Sequence, residues 1–285
     1  MSLEQVAVVA AGLRARRGIA VALDERRAGF EARAAMEPLP EEAVFTPEAE
    51  GRGLWVDLPD SDRSRIILWL HGGAFVLGSS ASWRAFGARL AAASGARVLL
   101  ADYPLAPEAP FPAALDFTIA LLGELLESGR QVIIGGDSAG ANLAAAAAQA
   151  KLDDARQPVG CVLLSPYLDL LHTGESVDTR ACRDPFVDVT TMAATAATYL
   201  GDADPTDPRA SPLYGPVDGF PVTLIQVGSE EALFDDAARF AARLPDCTFQ
   251  QWAGMIHCWH LFAAQIDEGH WAIAQIGNWV RQRCA

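Results

Sequence analysis

The stretch QVIIGGDSAGANLAAAAAQA, Gln131 to Ala150, decides the fold. It opens on the β-branched apolar run Val132-Ile133-Ile134, a strand signal, and closes on an alanine-rich segment without proline, a helix signal. Between them stands Gly136-Asp137-Ser138-Ala139-Gly140, the G-x-S-x-G pattern in the strand-then-helix context that a nucleophile elbow requires. A sharp strand-to-helix turn exposes the serine oxygen, so its flanking residues must be small. The helix N-terminus also sets free N–H groups and a positive dipole end where negative charge develops. A chance match in an Ala/Gly-rich chain is the rival reading, and the strand and helix on either side weigh against it.

Working outward, strands and helices alternate. Strands are expected at Leu54–Leu58 and Ile66–Leu70, Arg97–Ala101, Val159–Leu164, Val222–Val227 and Thr248–Trp252. Helices are expected over 83–94, 112–127, 139–151, near 235–244 and over 270–283. This rhythm implies right-handed βαβ crossovers and a mainly parallel central sheet covered by helices on both faces. Upstream, 3–17 and 24–36 read as amphipathic helices joined near Gly18, and Pro38, Pro40 and Pro47 punctuate an extended connection. From about Asp169 to Pro212 the rhythm breaks, with Asp184-Pro185, Asp204-Pro205, Asp207-Pro208 and Ser211-Pro212 in an insertion of roughly 40 residues. The expected organisation is an N-terminal pair of cap helices in residues 1–50 and a catalytic domain over 51–285, with a cap insertion at about 169–212.

Composition excludes several partner classes. The 285 residues are 51% hydrophobic and carry a net charge of −14, and every basic residue except Lys151 is arginine. An acidic chain without a basic stripe repels phosphate backbones, so neither nucleic acid nor an anionic membrane is an expected partner. Five scattered cysteines show no C-x-x-C spacing, which argues against a disulfide framework or a zinc site. The arginines near the N-terminus follow the apolar run, the reverse of a secretory signal, and no segment has the roughly 18 apolar residues of a membrane span. A soluble, cytoplasmic protein is expected.

A second motif, His71-Gly72-Gly73-Ala74-Phe75, directly follows the strand RIILWL. Glycines there let backbone N–H groups turn inward, and the expected oxyanion hole combines Gly72, Gly73 and Ala139. His71 is expected to hold the loop by a hydrogen bond. The serine needs a base steadied by an acid, in the chain order serine, acid, histidine. His257 lies in a short loop after the strand TFQQW and is the expected base; His260 and His270 fall in helical stretches, and His172 precedes the acid region. The loop after VTLIQV holds Glu230, Glu231, Asp235 and Asp236, and spacing alone does not choose among them.

HGGAF, Asp102-Tyr103-Pro104-Leu105-Ala106-Pro107-Glu108, Phe111-Pro112-Ala113-Ala114, GDSAG and Asp207-Pro208-Arg209-Ala210-Ser211-Pro212 together resemble the blocks of the bacterial hormone-sensitive-lipase-like esterases. The resemblance runs from about Leu54 to the C-terminus and implies an α/β-hydrolase fold with a helical cap. The family's acid block usually reads G-x-x-D-P-L-x-D-E. On it Gly228 matches the glycine, Glu231 falls where the catalytic aspartate stands, and Asp235 matches the later aspartate. The resemblance therefore implies a Ser138–Glu231–His257 triad, with Asp235 in reserve. Cys258 stands where a glycine is usual, Pro104 where an arginine is, and Ala109 where a histidine is.

The expected activity is serine carboxylesterase chemistry on short-acyl, small-molecule esters through an acyl-enzyme, which needs no metal or cofactor. An amide or formamide hydrolase of arylformamidase type would use the same triad. A non-catalytic receptor, like the plant gibberellin receptors that resemble this family, would carry a damaged one. A homodimer through the strand Thr248–Trp252 is a further expectation, because a sheet edge is usually covered or paired. Trp271 and Trp279 are read as either exposed or core.

Overall fold

The computed structural model describes residues 3–15, 17 and 21–284. Eight strands form one sheet: β1 (Val44–Pro47), β2 (Gly53–Asp57), β3 (Asp62–Leu70), β4 (Ala96–Ala101), β5 (Gln131–Asp137), β6 (Gly160–Leu164), β7 (Thr223–Gly228) and β8 (Cys247–Trp252). Their order is β1-β2-β4-β3-β5-β6-β7-β8. The β1–β2 and β2–β4 pairs are antiparallel and all others parallel. Buried strands of a parallel sheet carry continuous apolar runs, and Ile66–Leu70, Val132–Ile134 and Cys161–Leu164 do so, each side chain almost wholly inaccessible. β1 was not anticipated. It lies within the proline-punctuated connection and sits at the sheet margin, where Pro47 need not donate to a further strand.

Helices α3 (Arg84–Ser94) and α9 (Asp267–Arg283) cover one face, burying Phe86, Leu90, Ile273, Ile276 and Trp279 against the sheet. Helices α4 (Ala113–Glu127), α5 (Ala139–Gln149) and α8 (Phe234–Ala241) cover the other. Trp279 is therefore core, whereas Trp271 on the same helix is 50% exposed. The first two helices are α1 (Leu3–Arg14) and α2 (Leu23–Ala34); the joint expected near Gly18 lies outside the described residues.

Two glycines allow the central approach of helix to sheet. A Cβ on Gly140 would lie 1.9 Å from the Leu70 carbonyl oxygen, and one on Gly136 would lie 2.4 Å from Gly140. No larger residue fits either place, so α5 starts directly against β3 and β5.

The insertion contributes α6 (Ser176–Thr179) and α7 (Val189–Leu200). It is tied to the chain's start, with the Arg14 guanidinium donating to the Arg183 carbonyl at 3.1 Å and Arg17 to the Val187 carbonyl. Arg27 of α2 reaches the Val76 and Ala106 carbonyls and pairs with Glu108. Both segments therefore stand over the carboxyl ends of the parallel strands, the edge at which open α/β sheets bind ligands.

Candidate active site

Ser138 caps α5 with φ 54° and ψ −118°, a sparsely populated backbone conformation held from both sides. Its N–H donates to the Leu164 carbonyl at 2.9 Å, and its own carbonyl accepts the N–H groups of Asn142 and Tyr167, each at 3.2 Å. The residue is partly exposed. The strand-to-helix turn thus presents a strained, reachable serine.

Glu231 follows β7 and is fully buried. One carboxylate oxygen, Oε1, accepts the Gly228 N–H at 2.5 Å and the Ser165 hydroxyl at 2.8 Å; the other, Oε2, lies 3.0 Å from His257 Nδ1. Burial raises the Glu231 carboxyl above its ordinary range, opposed by the bond to His257. Burial by itself would lower the His257 imidazole, but the Glu231 hydrogen bond and charge, with Asp184 and Asp137, bring it above its ordinary value. A base with its Nδ1 side fixed on a buried carboxylate has its Nε2 side left for proton transfer.

The other carboxylates of the acid loop are committed elsewhere. Glu230 pairs with Arg183 at 2.7 Å, Asp235 accepts the Ser176 N–H at 2.9 Å, and Asp236 accepts the N–H groups of Leu168 and Asp169. The reserve candidate Asp235 is therefore turned to the insertion and Glu231 to the histidine. Among the other histidines, His260 is buried on the Gln226 side chain at 2.8 Å, His172 meets the Tyr167 hydroxyl at 2.5 Å, and His270 is exposed. His71 Nδ1 lies 2.7 Å from the Gly72 carbonyl, and Tyr103 donates to the His71 carbonyl at 2.7 Å, pinning the loop after β3.

The loop after β3 that holds the expected donors Gly72 and Gly73 turns through positive φ at Gly73 (112°), Ala74 (53°) and Phe75 (64°). Among the described residues, the N–H groups of Gly73, Ala74 and Ala139 have no acceptor, and Gly72 lies against the Asp137 side chain, where a Cβ would be 2.5 Å from Oδ2. Ala74 was not singled out in the sequence, because the two glycines before it carry the signal.

Ser165 was also missed. It sits just past β6 at φ 46°, donates to Glu231 and accepts the Cys258 N–H at 3.0 Å. With the Ser138 N–H on Leu164, this stitches elbow, acid and base together through one buried hydroxyl. A serine before Pro166 carries no local mark of such a role.

The chain is similar to known hydrolases. A family model described as alpha/beta hydrolase fold matches residues 67–261. An acetyl-hydrolase of Streptomyces hygroscopicus is 42% identical over 236 residues, 80% of this chain and 78% of its own. An esterase of Acinetobacter venetianus is 39% identical over 224 residues, 75% of this chain and 74% of its own. The crystal structure of an esterase from the bacterial hormone-sensitive lipase family, 36% identical, superposes with a TM-score of 0.94 over 99% of each chain. The chain belongs to the hormone-sensitive-lipase-like α/β hydrolases.

As an α/β hydrolase of this type, the chain departs from the usual pattern most visibly at Cys258. The residue has φ 51°, which explains a glycine preference there, and its thiol is buried 3.8 Å from Asp137 Oδ2. Aromatic rings pack against these elements. Phe75 stacks on Tyr199 of α7 with ring centres 3.7 Å apart and faces Tyr167 at 6.2 Å. On the other side Phe186 lies 5.6 Å from His257 and 6.2 Å from Phe262. Beyond Phe262, a cavity of about 390 Å³ opens beneath the N-terminal helices, lined by Val9, Leu13, Phe30 and Trp83.

Proposed function

We propose that this hydrolase is a serine carboxylesterase for short-acyl esters, with Ser138 as nucleophile, His257 as general base and Glu231 as the acid that orients it. His257 takes the Ser138 proton as the hydroxyl oxygen attacks the ester carbonyl. The oxyanion is met by the N–H groups of Gly73, Ala74 and Ala139. Protonated His257 then gives its proton to the departing alcohol. Water, activated by the same histidine, releases the acid and restores the serine.

The observation that carries this reading is the buried Glu231–His257 pair, 3.0 Å apart and tied through Ser165 to the strand end that holds the Ser138 N–H. The short-acyl preference is supported by the Phe75–Tyr199–Tyr167 wall, part of it supplied by the insertion, and by a relative named for acetyl hydrolysis. The N-terminal helices and the insertion act together as the cap.

Hydrolysis of p-nitrophenyl acetate, butyrate and octanoate by the wild type and by Ser138→Ala tests the proposal. The expected result is activity that falls with acyl length and drops by several orders of magnitude in the variant. Equal rates in both proteins would remove Ser138 from the mechanism, and turnover of matched amides above esters would move the reading to an amidase.

A further inference from the structure

The insertion carries a carboxylate that the triad does not use. Asp184, in the sequence no more than half of a loop-marking Asp-Pro pair, is fully buried. Its Oδ1 accepts the N–H groups of Phe186 at 2.9 Å and Val187 at 3.0 Å, and its Oδ2 accepts the Ala232 N–H at 3.0 Å. Ala232 directly follows Glu231. Its carbonyl accepts, at 2.7 Å, the hydroxyl of Ser176, which is also buried and also in the insertion. The insertion thus grips one residue of the acid loop at both its N–H and its C=O. Phe186, held by the same carboxylate, has its ring centre 5.6 Å from that of His257.

We infer that Asp184 and Ser176 are positioning residues for the acyl-transfer site, locking the loop that carries Glu231 to the insertion and, through Asp184, setting Phe186 beside His257. The inference rests on the esterase reading of that site. Donor direction carries it: backbone N–H groups only donate, so the residue at 184 must offer an acceptor on both sides, as a carboxylate does. Outer contacts extend the tie, with Arg183 paired to Glu230 at 2.7 Å and Arg180 donating to the Ser229 carbonyl at 2.8 Å. Asp184 and Ser176 act closer in, on the residue next to the acid itself. Glu231 meets His257 across 3.0 Å, and a misplacement of about 1 Å behind the chemistry can cost about 10²-fold in rate. The Asp184 charge also favours the His257 imidazolium that forms during turnover.

Asp184→Asn is the first test, because an amide offers one oxygen and one NH2 group. With the oxygen on Phe186 and Val187, the NH2 faces the Ala232 N–H; turned over, it faces the other two. The expected result for p-nitrophenyl butyrate is a kcat lower by about ten- to a hundredfold, with KM within about twofold. The rise of kcat/KM with pH should also move to lower pH, because a negative charge near His257 is gone. The groups facing His257 are Glu231, Asp184, Asp137, the Cys258 thiol, raised by burial, and His260, lowered by burial to about 3. Those facing Asp184 are Glu231, His257 and Cys258, while Arg180 and Arg183 are turned to Ser229 and Glu230. Asp137, pushed up by burial to about 7, ionises over the same range in both proteins, so the displacement is read against wild type.

Ser176→Ala removes the second hold without a change of charge. The Ala232 carbonyl loses its donor and the Asp235 N–H its acceptor, and kcat should fall severalfold with KM near wild type. This variant decides the matter if Asp184→Asn does not fold. A merely structural part for the two residues predicts lower stability with kcat and the pH profile unmoved. That outcome, an unchanged kcat in Ser176→Ala, or a loss carried by KM overturns the inference. If wild type hydrolyses the ester and Ser138→Ala does not, the esterase reading stands whichever way Asp184 and Ser176 fall.

Discussion

Glu231 brings one more methylene to His257 than an aspartate would, and two extra contacts hold the longer side chain still. The Gly228 N–H and the Ser165 hydroxyl both address Oε1, leaving Oε2 for the imidazole. Ser165→Ala removes one of them and leaves the Cys258 N–H without its acceptor. A buried unmet donor costs about 1–3 kcal/mol, so kcat is expected to fall by about ten- to a hundredfold while KM stays near wild type; steady-state kinetics on p-nitrophenyl butyrate decide it. The same carboxylate sets the pH profile. His257 must be neutral to act and is raised above its ordinary value, so kcat/KM should rise with pH through a midpoint above about 6.5. Glu231→Gln removes the negative charge, and its residual activity should show that limb displaced to lower pH. Ser138 and His257 were legible as candidates because motif and chain order mark them. Glu231 emerged from four carboxylates only through family resemblance, and Ser165 was not legible, because its contacts depend on how neighbouring strand ends meet.

At the scale of elements, α7 of the insertion meets the loop after β3 through a stack, Tyr199 on Phe75. Phe75 belongs to the loop after β3, so the insertion buttresses the strained 73–75 turn, and under the proposed function this stack is the wall that limits the acyl group. Tyr199→Ala should open the wall: the octanoate-to-acetate ratio of kcat/KM is expected to rise by about tenfold or more, at a stability cost of about 3–5 kcal/mol for a truncated buried ring. An unaltered chain-length preference would place the acyl group elsewhere. Apolar runs marked the central strands, and alternation with helices marked the parallel order. β1 escaped because a short, mostly exposed edge strand ending in proline differs little from an extended linker. The carboxylates after β7 looked like an acidic helix start, yet Asp235 and Asp236 serve to anchor the insertion's backbone at Ser176, Leu168 and Asp169.

Across the whole molecule, burial has left carboxyls that hold protons unusually late. Asp236 is pushed up to about 8, and its Oδ1 has no hydrogen-bond partner among the described residues while Oδ2 accepts two N–H groups. The native state therefore binds a proton that the unfolded chain, with Asp near 3.9, has already released. Stability from this group is complete below the unfolded value and is lost as pH rises through about 8, at up to about 1.4 kcal/mol per pH unit. Thermal unfolding between pH 6.5 and 9 should show a falling Tm, and Asp236→Asn should flatten that slope; a slope unchanged in the variant would assign the effect to other groups.

The proposed donors and nucleophile, Ser165, and the proposed acid and base sit at the ends of β3, β5, β6, β7 and β8, five consecutive neighbours in the sheet. Residues from His71 to Cys258 meet only when every one of those pairings is made. A fluorophosphonate that marks Ser138 would consequently count assembled molecules, a census of completed sheets taken one covalent bond at a time.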